Sequence, residues 1–145
     1  MAVQRDNPYP NFNFSIDIGA SVGEIGFAGA EMPAAEIGVI EYREGADRAS
    51  AVRKLPGRVS YGNVVLHRGI DGGLSLWEWF KAVRDGDLQR RNVVITLHDE
   101  RHESVQRWLL RDAWPVKYVT SDLNAEGNEV VIETLELAVE SIEVE

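Results

Sequence analysis

Two histidines four residues apart come closest, in this chain, to a reactive site. His98 and His102 flank an Asp-Glu-Arg tripeptide. Zinc proteases require Glu directly after the first His, and a helix that turns both imidazoles to one face. Here Asp99 follows His98, and the polar run from Asp99 to Ser104 separates two apolar stretches, which predicts a hairpin turn. We therefore expect no metal to bind at this position.

The other candidates for chemistry fit structural roles better. The glycines from Gly19 to Gly29 match neither the dinucleotide-binding pattern nor a phosphate-binding loop that ends in Gly-Lys-Ser/Thr. His67 lies in a predicted strand without the Ser and Asp partners of a catalytic triad. The many carboxylates near the C-terminus are typical of a solvated or subunit-facing strand. We expect no catalytic residue and no cofactor, and hence not an enzyme.

The tryptophans could form a platform for stacking sugars or bases, but packing roles are favoured. Trp79 and Trp108 are expected in the core, and Trp77 against a neighbouring subunit. Aromatic side chains are enriched at the centres of interfaces because they bury a large area at little entropic cost.

Charge is distributed unevenly along the 145 residues. The net charge is −9, made up of −5 over residues 1–42, +4 over residues 43–117 and −8 over residues 118–145. An acidic chain repels phosphates on average, which argues against a DNA-binding domain. If the basic and acidic parts lie at opposite poles, identical subunits attract one another head to tail; the alternative is that both are solvated faces.

The composition also indicates the cellular compartment in which the protein folds. The chain contains no Cys, so it has neither a disulfide framework nor a thiolate metal site. The N-terminal residues contain no secretory apolar region, and no apolar run approaches the roughly 18 residues of a membrane span. We expect the protein to be made and folded in the cytoplasm.

A long polar segment, residues 42–57, is predicted to be a projecting loop. It contains several cations and a proline, with little aliphatic bulk. Loops of more than about 12–15 residues are uncommon in compact domains unless they have a function or are disordered. The run from Val59 to Leu66 that follows, bounded by Gly57 and Gly69, is predicted to be a strand.

The rest of the chain predicts strands around one helix. Residues 11–18 alternate, with Phe12, Phe14, Ile16 and Ile18 on one face. Residues 74–84 predict the helix, capped by Asp71 or Ser75 and stopped by Gly86. Further strands are predicted over residues 37–42, 91–98 and 105–112, with a bend or bulge at Trp114-Pro115.

Charge decides the conformation of the C-terminal segment, residues 128–142. As a helix it would stack Glu129, Glu133, Glu136 and Glu140 at i,i+3 and i,i+4 spacings, which is unfavourable. As a strand it places Leu135, Leu137 and neighbouring aliphatic residues on one face, with Glu133 intruding. We predict a long strand. The fold class is therefore mainly β, a barrel or sandwich with one flanking helix.

An ordered series of motifs occurs along the chain, within a match that spans roughly residues 11–139. It reads EYREG, RKLPGRV.YGNV.L.RG, LW.W.KAVRDG, RRNV.I.L, W.LR.AWPVK and LNA.GNEV.IETLELA. In this order the motifs resemble the tail-tube proteins of contractile phage tails and of phage-tail-like injection systems. The resemblance implies a single tail-tube domain over residues 1–145, with the helix at about 74–85. It also implies hexameric rings that stack as the inner tube of the machine.

The same resemblance implies three interaction surfaces. The loop is expected to reach the adjacent ring, an acidic surface to receive it, and the helix to face the surrounding sheath. Ring stacking is assigned to Arg43, Glu44, Arg48, Arg53, Lys54, Pro56 and Arg58, the acidic counter-surface to Glu126, Glu129 and Glu133, and the sheath-facing helix to Glu78, Lys81 and Arg84.

The expected partners follow from that machine: further copies of the chain, the sheath, baseplate or hub proteins, a tube-capping protein, and cargo or DNA in the lumen. Assembly is expected in the cytoplasm of the producing cell, with release in an extracellular particle as one outcome. Residues 20–36 depart from the family pattern, which leaves a specialised first-ring copy at the baseplate as an alternative. A small-ligand carrier with a lipocalin-like barrel is a more distant alternative, separable by its low oligomeric state.

Overall fold

The computed structural model describes residues 5–19, 24–46 and 52–145. These residues form ten strands and one helix, which confirms the mainly β prediction. In chain order the elements are β1 Phe14–Asp17, β2 Glu24–Ile25, β3 Gly29–Glu31, β4 Ala35–Tyr42, β5 Arg53–Tyr61, β6 Val64–Gly69, α1 Ser75–Arg84, β7 Arg91–His98, β8 Ser104–Thr120, β9 Ile132–Ala138 and β10 Ser141–Val144. Within those ranges, no helix has the length and apolarity needed to cross a bilayer.

Eight of the strands form one antiparallel sheet. Its order is β2-β1-β7-β8-β9-β6-β3, and β10 also pairs with β8. The 17-residue strand β8 belongs to two parts of the sheet: its first half pairs with β7 and β10, its second half with β9. The pairing register shifts between Pro115 and Lys117, where proline cannot donate to the ladder. This irregularity agrees with the bend or bulge predicted at Trp114-Pro115.

The two parts of the sheet close around a common apolar core. Alternation along each strand directs Ile16, Val93 and Leu110 inward from one part, and Leu66 and Leu135 inward from the other. All five are almost completely buried. Burial of such a side chain stabilises the fold by about 1.5–3 kcal/mol. Phe12 was predicted on the same face as Ile16, but it precedes β1 and is exposed.

Helix α1 completes the core with Leu76 and Trp79. The indole N–H of Trp79 donates to the carbonyl of Gln89 at 2.7 Å, so its polar atom is satisfied. The predicted helix is confirmed to within one residue, and Gly86 follows it with φ of 102°, a conformation that favours glycine. The predicted cap is wrong: Leu74 occupies the N-cap position without a side-chain bond, and the Asp71 carboxylate accepts from the Gly73 N–H.

The C-terminal segment is extended, as the charge argument predicts, but it is divided in two. Residues 128–131 are not in a strand, and β9 and β10 are separated by Val139 and Glu140. The break occurs where Glu140 N–H donates to the Arg111 carbonyl at 3.0 Å. It allows the chain to leave β9 and pair with the earlier half of β8.

A charged group lies inside the core next to the helix. Glu133 and Arg68 are 3% and 5% exposed, and their side chains approach to 2.6 Å. Arg68 also donates to the Gly73 carbonyl at 2.9 Å, and the Tyr118 hydroxyl donates to Glu133 at 2.6 Å. Burial, together with the bond to Glu133, raises the pKa of Tyr118. Glu133 therefore holds the segment before α1 to the sheet and is not part of an acidic surface.

Removing one member of this pair should destabilise the subunit strongly. Glu133→Ala leaves the Arg68 charge buried without its partner, and we expect a loss of about 3–5 kcal/mol in the free energy of unfolding. The double substitution Arg68→Met with Glu133→Leu should recover most of that loss, because two apolar side chains need no charge partner. Urea unfolding, carried out at subunit concentrations too low for assembly, measures the free energy of unfolding of both variants.

Asp85→Ala is the control, since it breaks an ion pair with Arg84 whose two side chains are about half exposed. The urea midpoint should hardly move. Equal stability of Glu133→Ala and the parent chain would contradict the structural role of the buried pair.

Candidate functional site

The most unusual feature of the subunit is a hairpin that takes no part in the main sheet. Strands β4 and β5 pair only with each other. The predicted loop over residues 42–57 is thus too long: Arg53, Lys54 and Pro56 belong to β5, as does Arg58. The sequence prediction gave too much weight to the cations and too little to Leu55 and Val59, which pair with aliphatic residues of β4. Residues 43–52 connect the two strands, and Arg48 lies outside the described residues.

Close backbone contact holds the hairpin together. Ile37 lies opposite Val59 and Ile40 opposite Leu55, with a register shift between these pairs. At the shift, a Cβ on Gly57 would approach the Gly38 carbonyl oxygen to 3.0 Å and the Ile40 side chain to 3.2 Å. Only glycine allows the strands to pass this closely.

The hairpin exposes aliphatic side chains that a lone subunit cannot cover. Ile37, Val39, Ile40, Leu55 and Val59 are 45–63% exposed. Soluble monomers rarely expose large contiguous apolar patches, and those that do usually use them for binding. The cations Arg53, Lys54 and Arg58 are exposed on the same element. The hairpin has the chemistry of an interaction surface, apolar along its length and basic towards its tip.

An acidic loop lies at the opposite end of the same strands. The hairpin leaves the sheet beside the start of β6, where the Gly62 N–H donates to the Ala34 carbonyl at 2.8 Å. The other end of β6 pairs with Ile132, which immediately follows the loop of residues 121–131. At about 3.3 Å per residue, β6 separates the two ends by roughly 17 Å.

That loop, residues 121–131, combines negative charge with exposed aliphatic side chains. Leu123 and Val130 are 80% and 74% exposed. Glu126 and Glu129 are also exposed, and the loop encloses a cleft of about 1010 Å³. Two of the three acids predicted for a counter-surface therefore lie together at the surface. The third, Glu133, lies in the core.

Helix α1 has an outward face as predicted. Glu78, Lys81 and Arg84 are exposed, opposite the buried Leu76 and Trp79. Their spacing of three residues places these side chains along one stripe of the helix.

Three of the tryptophans pack against other side chains of the subunit. The ring of Trp77 contacts Tyr118 at 5.2 Å between centroids and lies 5.5 Å from the Arg84 guanidinium, so part of its surface is already used within the subunit. Trp108 is partly buried and packs against the core, and Trp79 lies within it.

His98 is the last residue of β7, and His102 lies in the β7–β8 turn. His98 Nε2 is 3.0 Å from the Ser15 hydroxyl, and His102 has φ of 62°. In the described part of the chain, no three His, Asp or Glu side chains are grouped to hold a metal. In this turn, Glu100 accepts two bonds from Arg5 at 2.9 and 3.0 Å, which lower the pKa of its carboxyl to about 2. This pair ties the N-terminal segment to the turn.

These surfaces define a class of protein: a filled β-barrel with an apolar and basic hairpin at one end and an acidic loop at the other. The chain also matches a known protein family over most of its length. Residues 10–143 match the family of T4-like virus tail tube protein gp19. The match covers most of the chain, and the protein belongs to this family of tail-tube proteins. Among curated protein sequences, none matches the chain significantly.

Solved structures of contractile injection particles have the same fold. A chain in the baseplate of the anti-feeding prophage is 28% identical, with a TM-score of 0.84 and 97% of each chain covered. A chain in the cap of that particle is 22% identical, with a TM-score of 0.86 and coverage of 100% of this chain and 95% of the other. A chain in the sheath-tube complex of the extracellular contractile injection system PVC is 21% identical, with a TM-score of 0.85 and coverage of 95% and 91%.

A methyl group added where β4 and β5 pass closest should disturb the hairpin without unfolding the barrel. Gly57→Ala places a methyl group against the Gly38 carbonyl oxygen, and we expect a local cost of about 1–3 kcal/mol. Hydrogen exchange should accelerate at the amides of β4 and β5 and stay unchanged in β7 and β8. Gly45→Ala is the matched control, because no atom lies within 4 Å of its added Cβ. Unchanged exchange in the hairpin of Gly57→Ala would contradict the close crossing.

Proposed function

We propose that this tail-tube protein forms six-membered rings that stack head to tail into the inner tube of a contractile injection machine, a conduit for cargo or DNA. The observation that carries this proposal is the separation of two complementary surfaces. A basic, apolar hairpin extends from one end of β6, and an acidic loop with exposed aliphatic residues follows the other end. Identical subunits arranged in the same direction bring these surfaces together.

Ring formation follows from the free edges of the sheet. The path of strands ends at β2 on one side and at β3 on the other, and each of these strands pairs on one side only within the described subunit. Unpaired strand edges readily pair with other chains. In a closed ring, each subunit covers one of these edges of its neighbour.

Ring stacking uses a different contact, between unlike surfaces. Arg53 and Lys54 of the hairpin meet Glu126 and Glu129 of the next ring, while the hairpin aliphatics cover Leu123 and Val130. Such a heterologous contact leaves a free hairpin at one end of every stack and a free acidic loop at the other. The stack therefore extends until another protein covers its end.

Other partners follow from the same geometry. The exposed face of α1, with Glu78, Lys81 and Arg84, is the surface offered to the sheath. The two unlike ends of the stack would meet a baseplate component and a capping protein. This partner set is supported by the baseplate, cap and sheath-tube particles in which similar chains occur. The role is structural: the barrel interior is filled by core side chains, which also argues against a small-ligand carrier.

Assembly begins with subunits folded in the producing cell, and the finished tube acts within a phage tail or a released phage-tail-like particle. The absence of Cys from the sequence suits folding in a reducing compartment. Stability then comes from burial between subunits in place of covalent cross-links.

Charge reversal at the hairpin tip should prevent stacking but leave the barrel folded. The double substitution Arg53→Glu with Lys54→Glu places like charges opposite Glu126 and Glu129. We expect short stacks or single rings by negative-stain microscopy, with an unchanged far-ultraviolet circular dichroism spectrum. Adding Glu126→Lys and Glu129→Lys to the same chain should restore long tubes, because the charges are exchanged.

Arg101→Glu provides the control for a charge change elsewhere on the surface. Arg101 is exposed in the β7–β8 turn and belongs to neither the hairpin nor the acidic loop, and its reversal should leave tube length unchanged. Tubes of normal length from the hairpin double variant would refute the proposed stacking contact.

A first ring at the baseplate is the second candidate role. The observation in its favour is the 28% identity to a baseplate chain, against 21–22% for the chains in the cap and sheath-tube structures. The two roles differ in how far the pure chain polymerises. A main tube subunit should form tubes of many rings, whereas a first-ring subunit should stop at one ring. Measuring particle length by microscopy over a range of concentrations decides between them.

A further inference from the structure

A hydroxyl, an imidazole and a carboxylate lie in line on the outer face of the sheet. The imidazole belongs to His67 in β6, and its Nδ1 is 2.9 Å from Oγ1 of Thr134 in β9. Its Nε2 is 3.0 Å from a carboxylate oxygen of Glu31 in β3. The neighbours Leu66 and Leu135 are buried in the core, so alternation along the strands turns the polar side chains outward. Side chains from three strands therefore meet on one surface, and they are called here the His67 group.

The pairing of the strands explains how these residues meet. Thr134 lies directly opposite His67 in the β6–β9 pair. The residue opposite His67 in β3 is Gly29, which has no side chain, and the ring extends along β3 to Glu31. The two partners of His67 are 67 and 36 residues away in the sequence. Thr and Glu thus supply the partners that the local sequence around His67 lacks.

The hydrogen bonds of the His67 group assign its protons. An ionised carboxylate only accepts hydrogen bonds, so Nε2 of His67 carries a proton and donates it to Glu31. A neutral imidazole then has an unprotonated Nδ1, and the Thr134 hydroxyl donates to it. These are the relations of a nucleophile, a general base and the acid that orients the base. The two ring nitrogens are exchanged relative to the serine-protease triad.

A second pair of hydroxyl and imidazole in the subunit lacks the third member. His98 Nε2 is 3.0 Å from the Ser15 hydroxyl. Its Nδ1 is buried and has no hydrogen-bond partner among the described residues. Within that part of the chain, no carboxylate fixes which nitrogen of His98 carries the proton. This pair is therefore a matched control for the His67 group.

The His67 group lines an open cleft that admits a small molecule. The cleft has a volume of about 360 Å³, and its lining also includes Val65, Val119 and Lys117. The side chain of His67 is 33% exposed, so solvent and solutes reach the ring. The two valines offer apolar contact to a short acyl chain, and the Lys117 ammonium favours negative charge on a carbonyl oxygen. These features suit an ester of a short-chain carboxylic acid.

We propose that the His67 group hydrolyses small carboxylic esters through an acyl-threonine intermediate. Thr134 Oγ1 attacks the carbonyl carbon while its proton passes to Nδ1 of His67, and the alcohol leaves with that proton as the ester C–O bond breaks. Water then attacks the acyl carbon and gives a proton to Nδ1, from which the Thr134 oxygen recovers it as the carboxylic acid is released. Glu31 is a positioning residue, because it contacts only the ring. This activity goes beyond the structural role and requires a single subunit.

Hydrolysis of p-nitrophenyl acetate by dissociated subunits tests the activity. A positioned general base contributes about a hundredfold or more, but slow reaction of other surface groups with the ester limits the measurable loss. We therefore expect Thr134→Val and His67→Gln each to lower kcat by about tenfold, and Thr134→Ser, which keeps a hydroxyl, to retain most of it. His98→Gln is the control and should change kcat by less than about twofold. A parent-like kcat in Thr134→Val would overturn the proposal.

Trapping the intermediate locates the acyl group without any substitution. The parent chain is mixed with the ester, quenched in acid and digested, and its peptides are weighed by mass spectrometry. We expect an acetyl group on the peptide that contains Thr134, and none there in His67→Gln. Acetyl groups on lysines or on the N-terminal amine, with none on Thr134, would overturn the proposal even if a variant failed to fold.

The positioning role of Glu31 is tested on the ring itself. NMR of isotope-labelled imidazole nitrogens shows which nitrogen carries the proton, and the signals of His67 are identified by their loss in His67→Gln. We expect the proton on Nε2 in the parent chain, and a mixture of both tautomers in Glu31→Ala, with kcat lowered and KM little changed. A merely structural Glu31 would leave the tautomer as it is. The parent tautomer and the parent kcat in Glu31→Ala would overturn the three-residue arrangement.

Discussion

The continuity of strand β8 is the constraint on which the architecture depends. Its 17 residues pair with β7 and β10 in the first half and with β9 in the second, and the irregularity at Pro115 lets one strand serve both parts of the sheet. Because β9 and β6 are aligned on the second half, the start and end of β6 lie at opposite ends of this part of the sheet. The hairpin emerges at one of them and the acidic loop at the other.

A buried charge network secures the region near the acidic end. Arg68, at the end of β6, is bonded to Glu133 of β9 and to the Gly73 carbonyl just before α1. The same arginine and the Gly73 N–H lower the pKa of the Asp71 carboxyl, with the bond from Gly73 the larger effect. A helix without a side-chain cap is thereby held at its start by the sheet. Specific bonds of this kind restrict how the helix can be placed, which purely apolar packing does less strictly.

The hairpin shows how a folded subunit can remain incomplete by itself. The barrel covers its own core, yet β4 and β5 expose aliphatic side chains that contribute no core burial to the lone chain. Their hydrophobic free energy becomes available only when subunits associate. In the stack that we propose, aliphatic contact provides the attraction, while the opposite charges of hairpin and acidic loop select the relative direction of the subunits. A tail-tube protein needs both properties, because a tube must grow in one direction from a fixed base.

The sequence by itself determined several of the elements and the class of protein. Alternation identified β1 and β7, amphipathic spacing identified α1, like-charge repulsion excluded a C-terminal helix, and the ordered motifs identified the tail-tube family. These depend on neighbours along the chain, which a sequence displays directly. Tertiary structure alone decided that Glu133 is an internal partner of Arg68, that Phe12 is exposed, and that Arg53 to Arg58 form a strand opposite β4. Each of these depends on a residue distant in sequence, and the polarity of a side chain does not reveal whether a distant partner will neutralise or cover it.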